Sequence, residues 1–352
     1  MSRASASSAK ALQAILPLVE SGQPYEAHQK ARTFASRYQK SNQFDTAIDV
    51  LFQSARELLK VGQKGSGTDL ALFLLDVYER KPEKVTEESR GRITQLIALV
   101  GSEQTWRKSI IDKAVAWSIK HGAHPAGDPA LHHYIGEVLY KDGALDTAEV
   151  HFLNSGSRDS ARALARLYVD WAKQTETLAE AAETFALRGT LPYLTNGNIL
   201  AARAFISTYI SLLPLDQPPF ASTTTQSTPL TITAKGESSG EDDVVLTGLS
   251  VLNFAQLAVR VCQRAEGDRN KTMRETWVRL CGTYQSRGGL LASKEVRAVL
   301  NELATAYFNI PPPRQQNANP LGDMLAGMFG GAPGAAAPQR RAITPNAGMG
   351  LD

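Results

Sequence analysis

Six histidines, two cysteines and one glycine-rich run are where this 352-residue chain could hold catalytic or metal-binding chemistry. His121 and His124 stand three apart, a spacing that lets two imidazoles share a metal on one helix face. Pro125 and the flanking glycines work against such a helix, and no His-Glu-x-x-His or Cys-x-x-Cys accompanies the pair. His28, His132, His133 and His151 read as packing or surface residues. Cys262 and Cys281, nineteen residues apart, are too few for a four-thiolate zinc site or a disulfide framework. They read as two thiols buried on neighbouring helices, which fits a reducing compartment. The run Gly62-Gln-Lys-Gly-Ser-Gly-Thr has the look of a phosphate loop, but Lys64 is misplaced and a helix precedes it where the motif needs a strand. It reads instead as a helix–helix turn, with Thr68 or Asp69 capping the next helix. Acidic neighbours such as Glu87-Glu88 and Asp242-Asp243 diverge on either a helix or a strand, so they do not form a general acid–base pair. No catalytic residue, cofactor or metal is expected; the chain does not read as an enzyme.

Bulk properties narrow the alternatives. The hydrophobic fraction is 43%, the charged fraction 21% and the formal net charge +3. That is ordinary for a globular protein and far short of the concentrated charge of a dedicated nucleic-acid binder. MSRASASSAK at the start lacks the apolar core of a signal peptide, and no stretch approaches the eighteen or so apolar residues of a membrane span. A membrane-related role would work through a partner.

The elements that position these residues are helices. From Ala9 to about Leu213 apolar residues recur at three and four, as in Leu12, Ile15, Leu16 and Val19, in Ile93, Leu96, Ile97 and Val100, and in Leu131, Tyr134, Ile135, Val138 and Leu139. Pro17 sits inside the first stripe and is expected to kink or shorten that helix. Breaks are short: Ser21-Gly22, Ser41-Asn42, Gly62 to Gly67, Lys81-Pro82 and Asp142-Gly143. Short connections force antiparallel neighbours. A degenerate tetratricopeptide-like grammar shows in Phe34, Ala35, Tyr38, Ala47 and Leu51, and again in Ile135, Gly136, Leu139, Ala148 and Phe152. The small residues let two helices approach while Phe152 or Leu51 fills the groove. A lone hairpin leaves an apolar face bare, so hairpins must stack. The expected fold is all-α, an α-solenoid of stacked antiparallel helical hairpins.

Residues 214–247 break the pattern. Leu230-Thr-Ile-Thr and Val244-Val-Leu-Thr are β-type runs separated by a polar, turn-rich stretch, which reads as a small β-hairpin excursion or a bare loop. Helices resume over 248–313, with Leu252, Ala255, Gln256 and Val259 in the first, Trp277, Leu280, Cys281 and Tyr284 in the second, and Val296, Val299, Leu300, Leu303 and Tyr307 in the third. Residues 314–352 have the composition of a disordered tail, save for an apolar island at Leu321, Met324, Leu325, Met328 and Phe329.

One surface carries a charge bias. Between Gln23 and Ser41, Lys30, Arg32, Arg37 and Lys40 face a single acid, Glu26. Tyr25, His28 and Arg32, at i, i+3 and i+7, form a stripe beside the core face of that second helix. Such a flank is either simply solvated or a docking site for an acidic protein surface, aided by electrostatic steering. RNA binding fits less well, since aromatic interleaving is thin.

The run Pro24-Tyr-Glu-Ala-His-Gln-Lys-Ala-Arg-Thr-Phe-Ala-Ser-Arg-Tyr resembles the Golgi-to-ER traffic protein four family. Three further stretches resemble it in chain order: Gly65-Ser-Gly-Thr-Asp-Leu-Ala-Leu-Phe-Leu-Leu-Asp-Val-Tyr, Gly127-Asp-Pro-Ala-Leu-His-His-Tyr-Ile-Gly with Phe152-Leu following, and Leu303-Ala-Thr-Ala-Tyr-Phe-Asn-Ile-Pro-Pro-Pro. The resemblance implies a cytosolic, non-catalytic adaptor in the insertion of tail-anchored proteins into the ER membrane. It would bridge the client-carrying targeting ATPase and a ubiquitin-like-domain protein that recruits a co-chaperone, without binding nucleic acid or entering the membrane. Carried over residue by residue, the ATPase-binding candidates are Tyr25, His28, Arg32 and Arg37 on the second helix, within a 9–213 helical-repeat region. Asp69 and Asp76, seven apart on the fourth helix, are the acidic candidates, with the basic residues expected to anchor and the acidic pair to regulate. The ubiquitin-like partner is expected on the 248–313 half, with Leu230, Ile232, Val244 and Leu246 as contacts on an exposed strand pair. A helical-repeat scaffold of another cytosolic assembly is the alternative; such subunits usually close on a winged-helix domain, and no such ending is visible.

Overall fold

Three-residue turns set the architecture. Ser21-Gly22-Gln23, Ser41-Asn42-Gln43, Val61-Gly62-Gln63, Asp142-Gly143-Ala144 and Asn196-Gly197-Asn198 each join two helices. In each, the middle residue has a positive φ, from 55° at Asn42 to 79° at Gly62. That left-handed conformation ends one helix and reverses the chain, which is why glycine or asparagine stands there. The protein, described here by a computed structural model over residues 3–102, 104–222, 230–231 and 243–312, is accordingly a run of helical hairpins.

Among the described residues there are fourteen α-helices. They are α1 (Arg3–Glu20), α2 (Pro24–Lys40), α3 (Phe44–Lys60), α4 (Lys64–Arg80), α5 (Glu87–Val100), α6 (Gln104–His121), α7 (Pro129–Lys141), α8 (Leu145–Ser155), α9 (Arg158–Ala172), α10 (Leu178–Thr195), α11 (Ile199–Ser211), α12 (Ser250–Gln263), α13 (Lys271–Gln285) and α14 (Lys294–Phe308). Through α11, each helix packs on the next and nearly all on the next but one, the pairing rule of a solenoid. Several starts are capped as their sequences dictate. Thr86 and Ser89 form a reciprocal capping box at α5, and the Asp128 carboxylate accepts from the Leu131 amide ahead of Pro129 at α7.

The steric grammar of the hairpins is visible in side chains. Ala47, Leu51, Ala148 and Phe152 are fully buried. A Cβ at Gly136 would sit 2.7 Å from the Phe152 ring, so α7 and α8 approach as closely as they do only because that position is bare. Apolar side chains gather in two clusters, one from Ala11 to Ile135 and one from Ala148 to Phe308, with Leu139 packed against both.

Three expectations need correction. Gly62 to Gly67 is not one long break: α4 already begins at Lys64, and Gln63 rather than Thr68 or Asp69 stands at its N-cap. Gly67 serves contact instead, since a Cβ there would collide with Leu59 at 2.5 Å. Pro17 does not shorten α1 at its own position: the helix runs on to Glu20, losing the one donor that proline lacks, and the Pro17 carbonyl accepts from Ser21 as the last turn closes. The β-hairpin is not shown. The described β-structure is a two-residue antiparallel pairing of β1 (Leu230–Thr231) with β2 (Asp243–Val244), in the register Leu230 to Val244. Ile232 and the rest of 232–242 lie outside the described residues, as does the 321–329 island.

Candidate functional site

The α2 stripe survives in three dimensions, and α4 answers it. Ala27, Ala31 and Ala35 turn the core side of α2 inward, which leaves Tyr25 71% exposed and His28 and Arg32 directed across to α4. His28 Nε2 lies 2.7 Å from Asp69 Oδ2, and the Arg32 guanidinium donates to the same oxygen. The guanidinium carbon also stands 5.4 Å from the Phe73 ring centroid, a cation–π contact. Partial burial raises the Asp69 carboxyl, but the hydrogen bonds and charges of Arg32 and His28 outweigh it, so the group sits below its ordinary range. Asp69 and Arg32 remain 43% and 44% exposed, so the cluster is held together yet reached by solvent.

Asp76, two turns along α4, is taken from the other side: Lys113 of α6 places Nζ 2.6 Å from its Oδ1. The two acidic candidates therefore share a face as their spacing requires, but each is bound to a cation from a flanking helix. Arg37 is not part of the cluster. It is exposed near the end of α2, five residues beyond Arg32 and so about 140° around the helix. Phe73 and Lys113 were missed by sequence reasoning. Phe73 was findable, four residues after Asp69 and so on the same face. Lys113 was not, because nothing local says that α6 lies against α4.

At the other end, the premise of an exposed strand pair fails for one residue. Val244 is fully buried. The Gln256 side-chain amide of α12 donates to the Val245 carbonyl and accepts from the Val245 amide, both at 2.9 Å, and Asn253 brackets Thr247 in the same way at 2.8 Å. This clamp turns Val244 into the body and leaves Leu246 half-buried. Leu230 is described by its backbone pairing alone, and Ile232 lies outside the described residues.

Burial pushes the Cys281 thiol up to about 12 and the Cys262 thiol higher still, so neither is a nucleophile near neutrality. Among the described residues no three His, Cys, Asp or Glu side chains group as a metal site. Nor is any helix long and apolar enough to cross a membrane. The run Gly236-Glu-Ser-Ser-Gly spells the Gly-x-Ser-x-Gly letters of a hydrolase elbow but lies outside the described residues.

Comparison with known proteins identifies the family. A family model described as Golgi to ER traffic protein 4 matches residues 41–329, beginning just after α2. Golgi to ER traffic protein 4 of Aspergillus fumigatus is 32% identical over 331 residues, covering 89% of this chain and 87% of that protein. The Schizosaccharomyces pombe protein of the same name is 27% identical over 312 residues, covering 89% and 93%. The crystal structure of C. therm. Get4 superposes with a TM-score of 0.74 at 30% identity, covering 96% of this chain and all of that one. With the same fold, and with a match that runs through most of its length, the chain belongs to the Golgi to ER traffic protein 4 family.

Proposed function

We propose that this chain is a non-catalytic cytosolic adaptor in the post-translational delivery of tail-anchored proteins to the endoplasmic reticulum membrane. Its N-terminal helices, within residues 9–213, bind the client-carrying targeting ATPase. Its C-terminal part, residues 248–313 with Leu230, Ile232 and Leu246 ahead of them, binds a ubiquitin-like-domain protein that brings in a co-chaperone. Val244 acts there by holding the segment on α12 rather than by touching the partner. The observation that carries the reading is the α2–α4 cluster: Arg32 and His28 meet on Asp69 beside the protruding ring of Tyr25. A half-exposed, internally paired set of charges costs little to keep in water, and it offers a partner preset geometry for exchange.

The test is capture of the targeting ATPase by the full-length chain across a salt series. Reversing Arg32 and Arg37 to Glu is expected to weaken capture roughly tenfold or more at low salt and to flatten its salt dependence. Arg32→Glu also faces Asp69, so Tyr25→Ala, at a position with little packing to lose, serves beside it and is expected to weaken capture with the salt slope intact. Capture unchanged in both variants withdraws the surface.

A further inference from the structure

Among the exposed large apolar side chains of the described residues, only Tyr25 and Trp106 are aromatic. They flank one helix. Tyr25 belongs to the α2 stripe that bonds Asp69 of α4. Trp106, 42% exposed on α6, lies against the opposite side of α4: a Cβ placed on Gly65 would stand 3.7 Å from its Cζ2. Gly65 is one turn before Asp69, and Lys113, two turns beyond Trp106, holds Asp76. Both flanking helices thus reach the same outward face of α4, which carries Gly65, Asp69, Phe73 and Asp76.

Size argues that α2 and α4 are not the whole of a docking surface. The stripe from Tyr25 to Arg32 spans ~10 Å along the helix, and neighbouring axes lie ~10 Å apart. That is a small part of the ~800 Å² that each side of a specific interface buries. Adding α6 about doubles the width and brings a second aromatic ring to the far edge. The indole is already partly ordered, since more than half of it is covered and one flank lies beside the first turn of α4 at Gly65. An ordered ring loses little entropy when a partner covers its other flank. Tryptophan and arginine are also the residues in which interface energy concentrates.

We propose that the ATPase-docking surface continues across α4 onto α6, with Trp106 as its second aromatic anchor. Resting on the adaptor reading, this adds to the partner's description: it presents carboxylates to the α2 cations and an apolar recess to the indole, with Asp76–Lys113 at the rim.

The test measures the dissociation constant of the full-length chain with the targeting ATPase, beside oxidative footprinting of Trp106 in the unaltered complex. Trp106→Ala is expected to raise the constant roughly tenfold or more with the salt slope unchanged, Trp106→Phe to recover part of the loss, and the indole to be protected in the complex. If Arg32 and Tyr25 variants weaken binding while Trp106→Ala binds within about twofold and its ring stays reactive, the extension is overturned and the α2–α4 surface stands. If Trp106→Ala weakens binding only because the helix is disturbed, the unaltered chain shows it, since an indole still open to oxidation in a formed complex overturns the proposal. If the unaltered chain forms no complex, the adaptor reading and this inference fall together.

Discussion

Arg32 and Asp69 pair at nearly half exposure, with the more covered His28 on the same carboxylate, so the cluster adds little to stability; a pair this open to water is worth ~1 kcal/mol or less. Because the Asp69 carboxyl is held low, that contribution is complete above the ordinary carboxylate range and is lost as pH falls through the depressed folded value. The larger pH effect lies at the buried His132 and the partly buried His151, whose Nδ1 atoms stand 2.9 Å apart. His132 Nε2 is 2.9 Å from the Ala126 carbonyl, which places its proton there and leaves Nδ1 to accept from His151. Burial, with His132 adding repulsion, pushes His151 down to about 4 against a weaker upward pull from Asp112. Burial likewise lowers His132 despite Ala126 and Asp128. A group neutral when folded takes up its proton on unfolding, so stability is full above pH ~6.5 and declines as pH falls toward ~4. The loss expected from His151 is up to roughly 3 kcal/mol, read as a falling urea midpoint over that window. His151→Leu should be less stable at neutral pH, where His132 Nδ1 loses its donor, but flatter between those limits. An equally steep decline in that variant would assign the pH effect elsewhere.

Glycine does opposite work at different places in the helical elements, and this is where sequence reading gained most and lost most. At Gly22, Gly62 and Gly143 the residue breaks a helix by adopting φ near 77°, and the short-turn reading located those hairpins correctly. At Gly67, Gly136 and Gly189 the residue stands inside a helix and opens room for a neighbour. The letters are identical, so Gly62 to Gly67 read as one loop; only the packing of α4 on Leu59 separates a turn glycine from a contact glycine. The Gly136, Ala148 and Phe152 set was legible because the repeat grammar names the small residue and the bulky one together. It also makes a sharp expectation. Gly136→Ala gains helix propensity, worth ~1 kcal/mol, yet drives a methyl into the Phe152 ring at 2.7 Å, where overpacking costs ~1–3 kcal/mol. The urea midpoint should therefore fall or at best hold. Combined with Phe152→Leu, the same substitution should be more favourable than alone, giving a coupling of at least ~0.5 kcal/mol. Strict additivity would show that the two helices yield without strain.

At the scale of the folded body, α1 to α11 were readable because each helix repeats the apolar stripe of the last and meets mainly its sequence neighbours. What lay beyond reach were contacts that skip along the chain: Lys113 on Asp76, Tyr307 donating to the Leu194 carbonyl at 2.8 Å, and the Gln256 clamp that draws Val244 inward. No stripe or turn encodes these, since each depends on which helices the stack has already brought together. The stack also predicts how damage spreads. Trp277 is buried and stacks on Phe308 at 5.1 Å between ring centroids, deep in the cluster that runs from Ala148 to Phe308. Trp277→Ala should cost ~3–5 kcal/mol locally. Because interfaces in a solenoid act between neighbours, hydrogen exchange should quicken most in α12, α13 and α14, less in α10 and α11, and hardly at all in α2 to α4. The cluster of Tyr25, His28, Arg32 and Asp69 proposed to face the ATPase would then keep its shape, and on that proposal capture of the ATPase should persist while association with the ubiquitin-like protein falls. Uniformly faster exchange from α1 to α14 would instead mean that the two apolar clusters melt as one through Leu139, and the two ends could not be treated as separable binding surfaces.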